Sequence, residues 1–183
     1  MQRFLLCAAL VLIAISCPSA QTAQNVCADS ALPEGVRAVL ASQYADWRVE
    51  TFADLDADYQ KAWMAKRPNE CPGIVAGHFE GKSDLSYALL LIPRAKGKPG
   101  YRLAALSKAS GKGNYSAIVL DQSDTYSMSD SAVFRADPGL QFDEEKFATF
   151  KLKSEAIYFE TFEKGGSIYY WKHGRYEHVV ESD

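Results

Sequence analysis

Apolar residues recur at helical spacing in LPEGVRAVLASQY, where Leu32, Val36, Val39, Leu40 and Tyr44 form one stripe and Pro33 falls in the first turn. The next segment, DWRVETF, alternates. Trp47, Val49 and Thr51 oppose Arg48, Glu50 and Phe52, the period of a short strand. A second helix is predicted from ADLDADYQKAWMAKRPN, with Asp54 or Asp56 as cap, Leu55, Tyr59, Ala62 and Trp63 as stripe, and Pro68 as stop. From Gly73 the period changes to that of strands. IVAGHF, SYALLLIP, YRLAALS and NYSAIVLD are joined by the polar turns EGKSD, RAKGKPG and KASGKG, which reads as an antiparallel meander. Residues 88–92 are apolar without alternation, as expected of a strand covered on both faces.

Residues 121–147 lack a clean period and read as an irregular excursion with one short strand around 132–134. The C-terminus is sharper. In SIYYWKHGRYEHVV a two-residue turn at His173-Gly174 pairs Lys172 with Arg175, Trp171 with Tyr176 and Tyr169 with His178. One face then carries Tyr169, Trp171, Tyr176, His178 and Val180 and is expected to point inward. A three-residue turn Lys164-Gly165-Gly166 puts Ile157, Phe159 and Thr161 on that same face and keeps Glu160 out of the core. The opposite face holds Tyr158, Glu160, Phe162, Ile168, Tyr170, Lys172, Arg175 and Glu177, an aromatic surface that the excursion, a helix or a partner must cover. The expected fold class is α+β, with two N-terminal helices on a mainly antiparallel β-sheet meander that ends in C-terminal hairpins.

The first twenty residues change the picture of where this domain works. Arg3, an apolar run over residues 4–15 and then small residues read as an export signal, 1–20, with cleavage between 16 and 23. Two processing routes stay open: an ordinary signal-peptidase site, or lipidation of Cys17 in AISC, which would anchor the chain to a membrane. A flexible leader, 21–28, precedes one domain, 29–183. The expected location is the periplasm or outside the cell. There, Cys27 and Cys71 are most simply one disulfide, the other reading being two buried thiols. The formal net charge of −3, with no basic stripe, argues against a nucleic-acid surface.

Candidate chemistry centres on Gly77-His78-Phe79-Glu80-Gly81-Lys82-Ser83-Asp84-Leu85-Ser86, followed by an apolar strand. This stretch resembles the integrin-type FG-GAP or VCBS calcium hairpin, whose pattern is Gly-Asp-Phe-Asn-Gly-Asp-Gly-x-x-Asp. His78, Lys82 and Ser86 stand where that pattern has aspartates, and Glu80 where it has asparagine. Lys82 would place an ammonium where the ion sits, so the hairpin is expected to persist as architecture, with no metal and no cofactor. Similar degenerate hairpins occur in small exported bacterial proteins, some of them inhibitors of, or immunity proteins against, cell-wall hydrolases and toxins. That resemblance implies a non-catalytic protein-binding function. The residues themselves give no nucleophile elbow, phosphate loop or metal-binding helix. The residues expected to face a protein partner are His78, Glu80, Tyr158, Tyr170, Lys172, His173 and Arg175. The alternatives are an envelope structural protein and a binder of small ligands or carbohydrate.

Overall fold

The unbroken apolar run sits at the middle of a layered molecule. The computed structural model describes residues 26–108, 114–143, 145–146 and 148–181. The export segment, Cys17 and most of the KASGKG turn lie outside them. Helix α1 (Glu34–Gln43) is followed by β1 (Trp47–Val49), α2 (Ala57–Lys66), β2 (Ile74–Gly77), β3 (Ser86–Pro93), β4 (Tyr101–Lys108) and β5 (Tyr115–Ser123). The second half is all strand: β6 (Ser131–Ala136), β7 (Gly139–Asp143), β8 (Ala148–Leu152), β9 (Ala156–Thr161), β10 (Gly165–Lys172) and β11 (Arg175–Glu181). All pairings between these strands are antiparallel. One sheet runs β1-β3-β4-β5, with β2 also on β3; another runs β11-β10-β9-β6; β7 and β8 make a separate hairpin. The fold is therefore α+β, two helices packed on an unclosed, antiparallel meander.

Alternation of side chains across a strand explains the layering. Ala88, Leu90, Leu103 and Ala105 face the other sheet and meet Val133, Ile157, Phe159 and Tyr169. Leu89, Leu91, Ala104 and Leu106 point the opposite way, onto Leu32, Val36, Val39 and Tyr44 of the α1 region. Strand β3 is thus covered on both sides, as its sequence predicts. The outer face of the second sheet receives α2, where Leu55, Tyr59 and Trp63 pack with Ala132, Phe134 and Phe162. Tyr59 stacks on Phe162 at 4.9 Å between ring centroids and donates a 2.7 Å hydrogen bond to Glu160. Asp56 caps α2 by accepting from the Tyr59 amide, whereas Asp54 turns back to Arg48 and Thr51.

The disulfide joins Cys27 to Cys71 and closes 44 residues of sequence separation. It ties the start of the α1 region to the chain leaving α2. Val26 and Cys27 belong to the packed cluster, so the ordered domain begins within the segment expected to be a leader.

Four expectations are corrected. The first strand stops at Val49, because Asp54 accepts hydrogen bonds from both the amide and hydroxyl of Thr51, and this capping box folds Phe52–Asp54 into a 3-10 turn. The excursion is not irregular: β6 joins the second sheet, and β7 pairs with β8. That hairpin covers the aromatic outer face, where Leu152 and Phe150 meet Ile168, Val179, Tyr158 and Tyr170. The turn before β10 is Phe162-Glu163-Lys164 rather than Lys164-Gly165-Gly166, since Thr161 pairs with Gly165. Glu163 itself takes the left-handed φ of 57°, and Gly166 is needed within the strand, where a Cβ would stand 2.6 Å from the Phe159 carbonyl and 2.7 Å from the Tyr158 ring. The face is nonetheless the expected one, with Ile157 opposite Tyr169. Finally, His178 is exposed. It lies on the edge strand β11, and only Tyr169 of its row is fully within the core; His178 stacks on that ring from outside at 5.5 Å.

Candidate functional site

Three segments far apart in sequence meet at one end of the molecule. The first is the β10–β11 turn, in which His173 and Gly174 have φ of 51° and 83°, the paired left-handed geometry of a tight two-residue hairpin. Lys172 and Arg175 are therefore forced side by side, both exposed. Like charges opposite one another repel. Glu177 offsets this, lying 3.1 Å from Lys172 and 3.5 Å from Arg175 while accepting a hydrogen bond from the Tyr170 hydroxyl at 3.3 Å. The Lys172 hydrogen bond leads the interactions that hold the Glu177 carboxyl below its usual range.

The second segment is β8 with its exit, which brings Phe150, Lys151 and Lys153 against the hairpin. Phe150 and Tyr170 are in contact at 5.2 Å between centroids. Together with Trp171, Lys172 and His173 these residues line a cavity of about 400 Å³. Its walls are aromatic and its rim is cationic. Among the described residues, Lys151 and Lys153 make no ion pair.

The third segment is the degenerate calcium hairpin between β2 and β3. Phe79 is wholly buried between the sheets and pins the turn. The Lys82 ammonium sits on the Glu80 carboxylate, whose side chain is only 3% exposed. A side-chain cation thus occupies the turn. Its Nζ also lies 5.8 Å from the Trp171 ring centroid, which joins this turn to the hairpin end. His78 is exposed; its amide donates to Glu155 at 2.5 Å and its Nδ1 lies 3.0 Å from the Lys82 carbonyl oxygen. Among the described residues, no cluster of three or more His, Cys, Asp or Glu side chains is arranged to hold a metal ion.

Removing the ammonium should expose how much Glu80 depends on it. Lys82→Met is expected to lower unfolding free energy by about 1–3 kcal/mol, the cost of leaving a buried polar group without its partner. In a urea titration, the double variant Glu80→Gln with Lys82→Met should recover most of that loss; equal destabilisation by both would mean that the stranded Glu80 charge is not the source of the loss.

Of the residues expected to face a partner, His78, Tyr170, Lys172, His173 and Arg175 are at this end, and Glu80 lies beneath them, bound to Lys82. Tyr158 is elsewhere, half-buried and stacked on Phe134 at 4.7 Å. Lys82, Phe150, Lys151, Lys153 and Trp171 complete the surface and were not legible as members of it. The signal for two of them was present in KLK, where period two puts Lys151 and Lys153 on one strand face. No protein-family model, curated protein sequence or solved structure matches the chain.

Proposed function

We propose that this is a non-catalytic binding domain that engages a protein partner through the hairpin end, working outside the cytoplasm as its first residues suggest. The observation that carries the reading is the convergence of Lys151, Lys153 and Lys172 around an aromatic-walled cavity, with Arg175 paired to Lys172 at the same exposed, tightly turned hairpin. Aromatic and arginine side chains ringed by polar groups are the usual anchors of protein interfaces. The excess of cations selects an acidic counter-surface, both by steering encounter and by disfavouring other partners. A glycoside hydrolase offers an acidic point of this kind in its cleft, because its reaction uses two carboxyl groups flanking the scissile bond, one of them ionised. Inhibition of, or immunity to, a cell-wall hydrolase is the specific form of the proposal.

The test is capture from envelope extract by the wild-type chain and by the variant Lys151→Glu, Lys153→Glu and Lys172→Glu. An acidic hydrolase retained by the first and lost by the second, with salt-sensitive affinity and protection from lysis, is the expected result. Equal capture by both chains would sink the reading. The aromatic walls also suit a sugar ring; glycan-induced quenching of tryptophan fluorescence without protein capture would move the function to that class.

A further inference from the structure

A second site stands apart from the hairpin end. Beyond Val49 the chain passes Glu50, whose amide donates to the Leu90 carbonyl at 2.9 Å. Gly73 lies so close that a Cβ there would be 2.3 Å from the Glu50 carbonyl oxygen, which fixes this backbone in place. The Glu50 side chain is fully buried, and neither carboxyl oxygen has a hydrogen-bond partner. An orphan buried carboxyl is costly and needs a reason. It lines a cleft of about 470 Å³ between the loop 92–98 and the strap 127–129. That volume is in the range of small-ligand sites.

The charges around the cleft are unequal. Arg48 is fixed by a two-pronged ion pair to Asp54, at 2.6 and 2.5 Å, and so brings no net charge. The lining's two carboxyl groups are Asp54, held by Arg48, and the buried Glu50. Among the described residues Arg94, Lys96 and Lys98 on the exposed loop make no ion pair, and the Arg94 Nε donates to the Ala45 carbonyl at 3.0 Å. We propose that this cleft binds a small multivalent oxyanion, gripped by Arg94, Lys96 and Lys98 at the rim and receiving a hydrogen bond from the Glu50 acid group at its floor. The strap is tied at its two ends, by the Tyr126 carbonyl to the Gly100 amide and by the Ser129 carbonyl to the Asp56 amide. For the anion to reach Glu50 the strap has to move between those ties, which draws Met128 out of the inter-sheet cluster.

Burial, reinforced by the Asp54 and Asp130 charges and opposed by Arg48, pushes the Glu50 carboxyl well above its usual range. Tyr59 of α2 also interacts with it. Glu50 is then a donor at low pH. As pH rises through its raised value the proton is lost, the site gains a negative charge, and the anion is repelled.

Inorganic sulfate, whose charge does not change over this range, and citrate are suitable probes for calorimetric titration of the full chain at low salt. Saturable binding of either is expected at mildly acidic pH, and that of sulfate, the probe whose own charge is constant, should weaken as pH rises. Glu50→Leu should cost about tenfold in affinity, the loss of one charge-assisted hydrogen bond, whereas Glu50→Gln should bind with a flattened pH profile. Lys96→Glu with Lys98→Glu should abolish binding, and Lys151→Glu with Lys153→Glu should leave it unchanged. The proposal is overturned by absence of saturable binding with both probes, by binding that survives reversal of Lys96 and Lys98, or by an unaltered pH profile in folded Glu50→Gln.

Discussion

Phe79→Ala should lower the free energy of unfolding by about 3–5 kcal/mol, the usual cost of emptying a fully buried phenylalanine site. Phe79 is completely inaccessible and lies among Leu90, Ile157, Phe159 and Tyr169, side chains from both sheets. No neighbouring chain can collapse far into the vacancy, because the surrounding groups stand on paired strands. The Ser154 hydroxyl also holds the Phe79 carbonyl at 3.2 Å, so the same residue ties the β2–β3 turn to the chain entering β9. Equilibrium urea unfolding measures the effect. A loss below about 1 kcal/mol would mean that the turn is not anchored through this ring. Because Phe79 anchors the turn that carries Lys82 to Trp171, the variant should also weaken partner capture at the hairpin end while leaving charge unchanged.

Loss of the Cys27–Cys71 bond is expected to cost about 4 kcal/mol, the loop-closure entropy for a cross-link of this span. Both cysteines are buried with Val36, Val39 and Leu89, so the bond is embedded in the cluster that seats α1. The informative comparison is Cys27→Ser with Cys71→Ser against the oxidised chain, by the same denaturant titration with and without reductant. The double variant should unfold at lower urea and be indifferent to reductant; an unchanged midpoint would show that the unfolded chain is already held together there by other contacts.

Local pattern was enough wherever one residue's neighbours in sequence determine its surroundings. The stripe of Leu55, just before α2, with Tyr59 and Trp63 within it, is buried as its spacing requires. The His173-Gly174 turn also fixed every pair from Lys172–Arg175 to Gly166–Glu181, because a two-residue hairpin leaves no freedom of register. Pattern failed where the cover comes from distant chain. Glu50 looks like an ordinary outward residue of an alternating strand; its burial comes from distant chain, the Gly73 backbone against its own and a strap some eighty positions later. The β7–β8 hairpin was hard to see for another reason. Leu140 is 75% exposed and Phe142 43%, so its alternation does not separate an inside from an outside. At the hairpin end, the participating segments could be found singly, but their meeting depends on strand order, which periodicity does not encode.

Both helices rest on surfaces that the ribosome makes after them. The bed for α1 is built by β3 to β5, and that for α2 by β6 and the Phe162 turn. The emerging N-terminal third therefore has no completed hydrophobic partner of its own, and its helices are transient until most of the chain has been made. Acquisition of structure is delayed to the end of synthesis, and an escort that shields the early apolar stripes would have its longest task with this portion of the polypeptide.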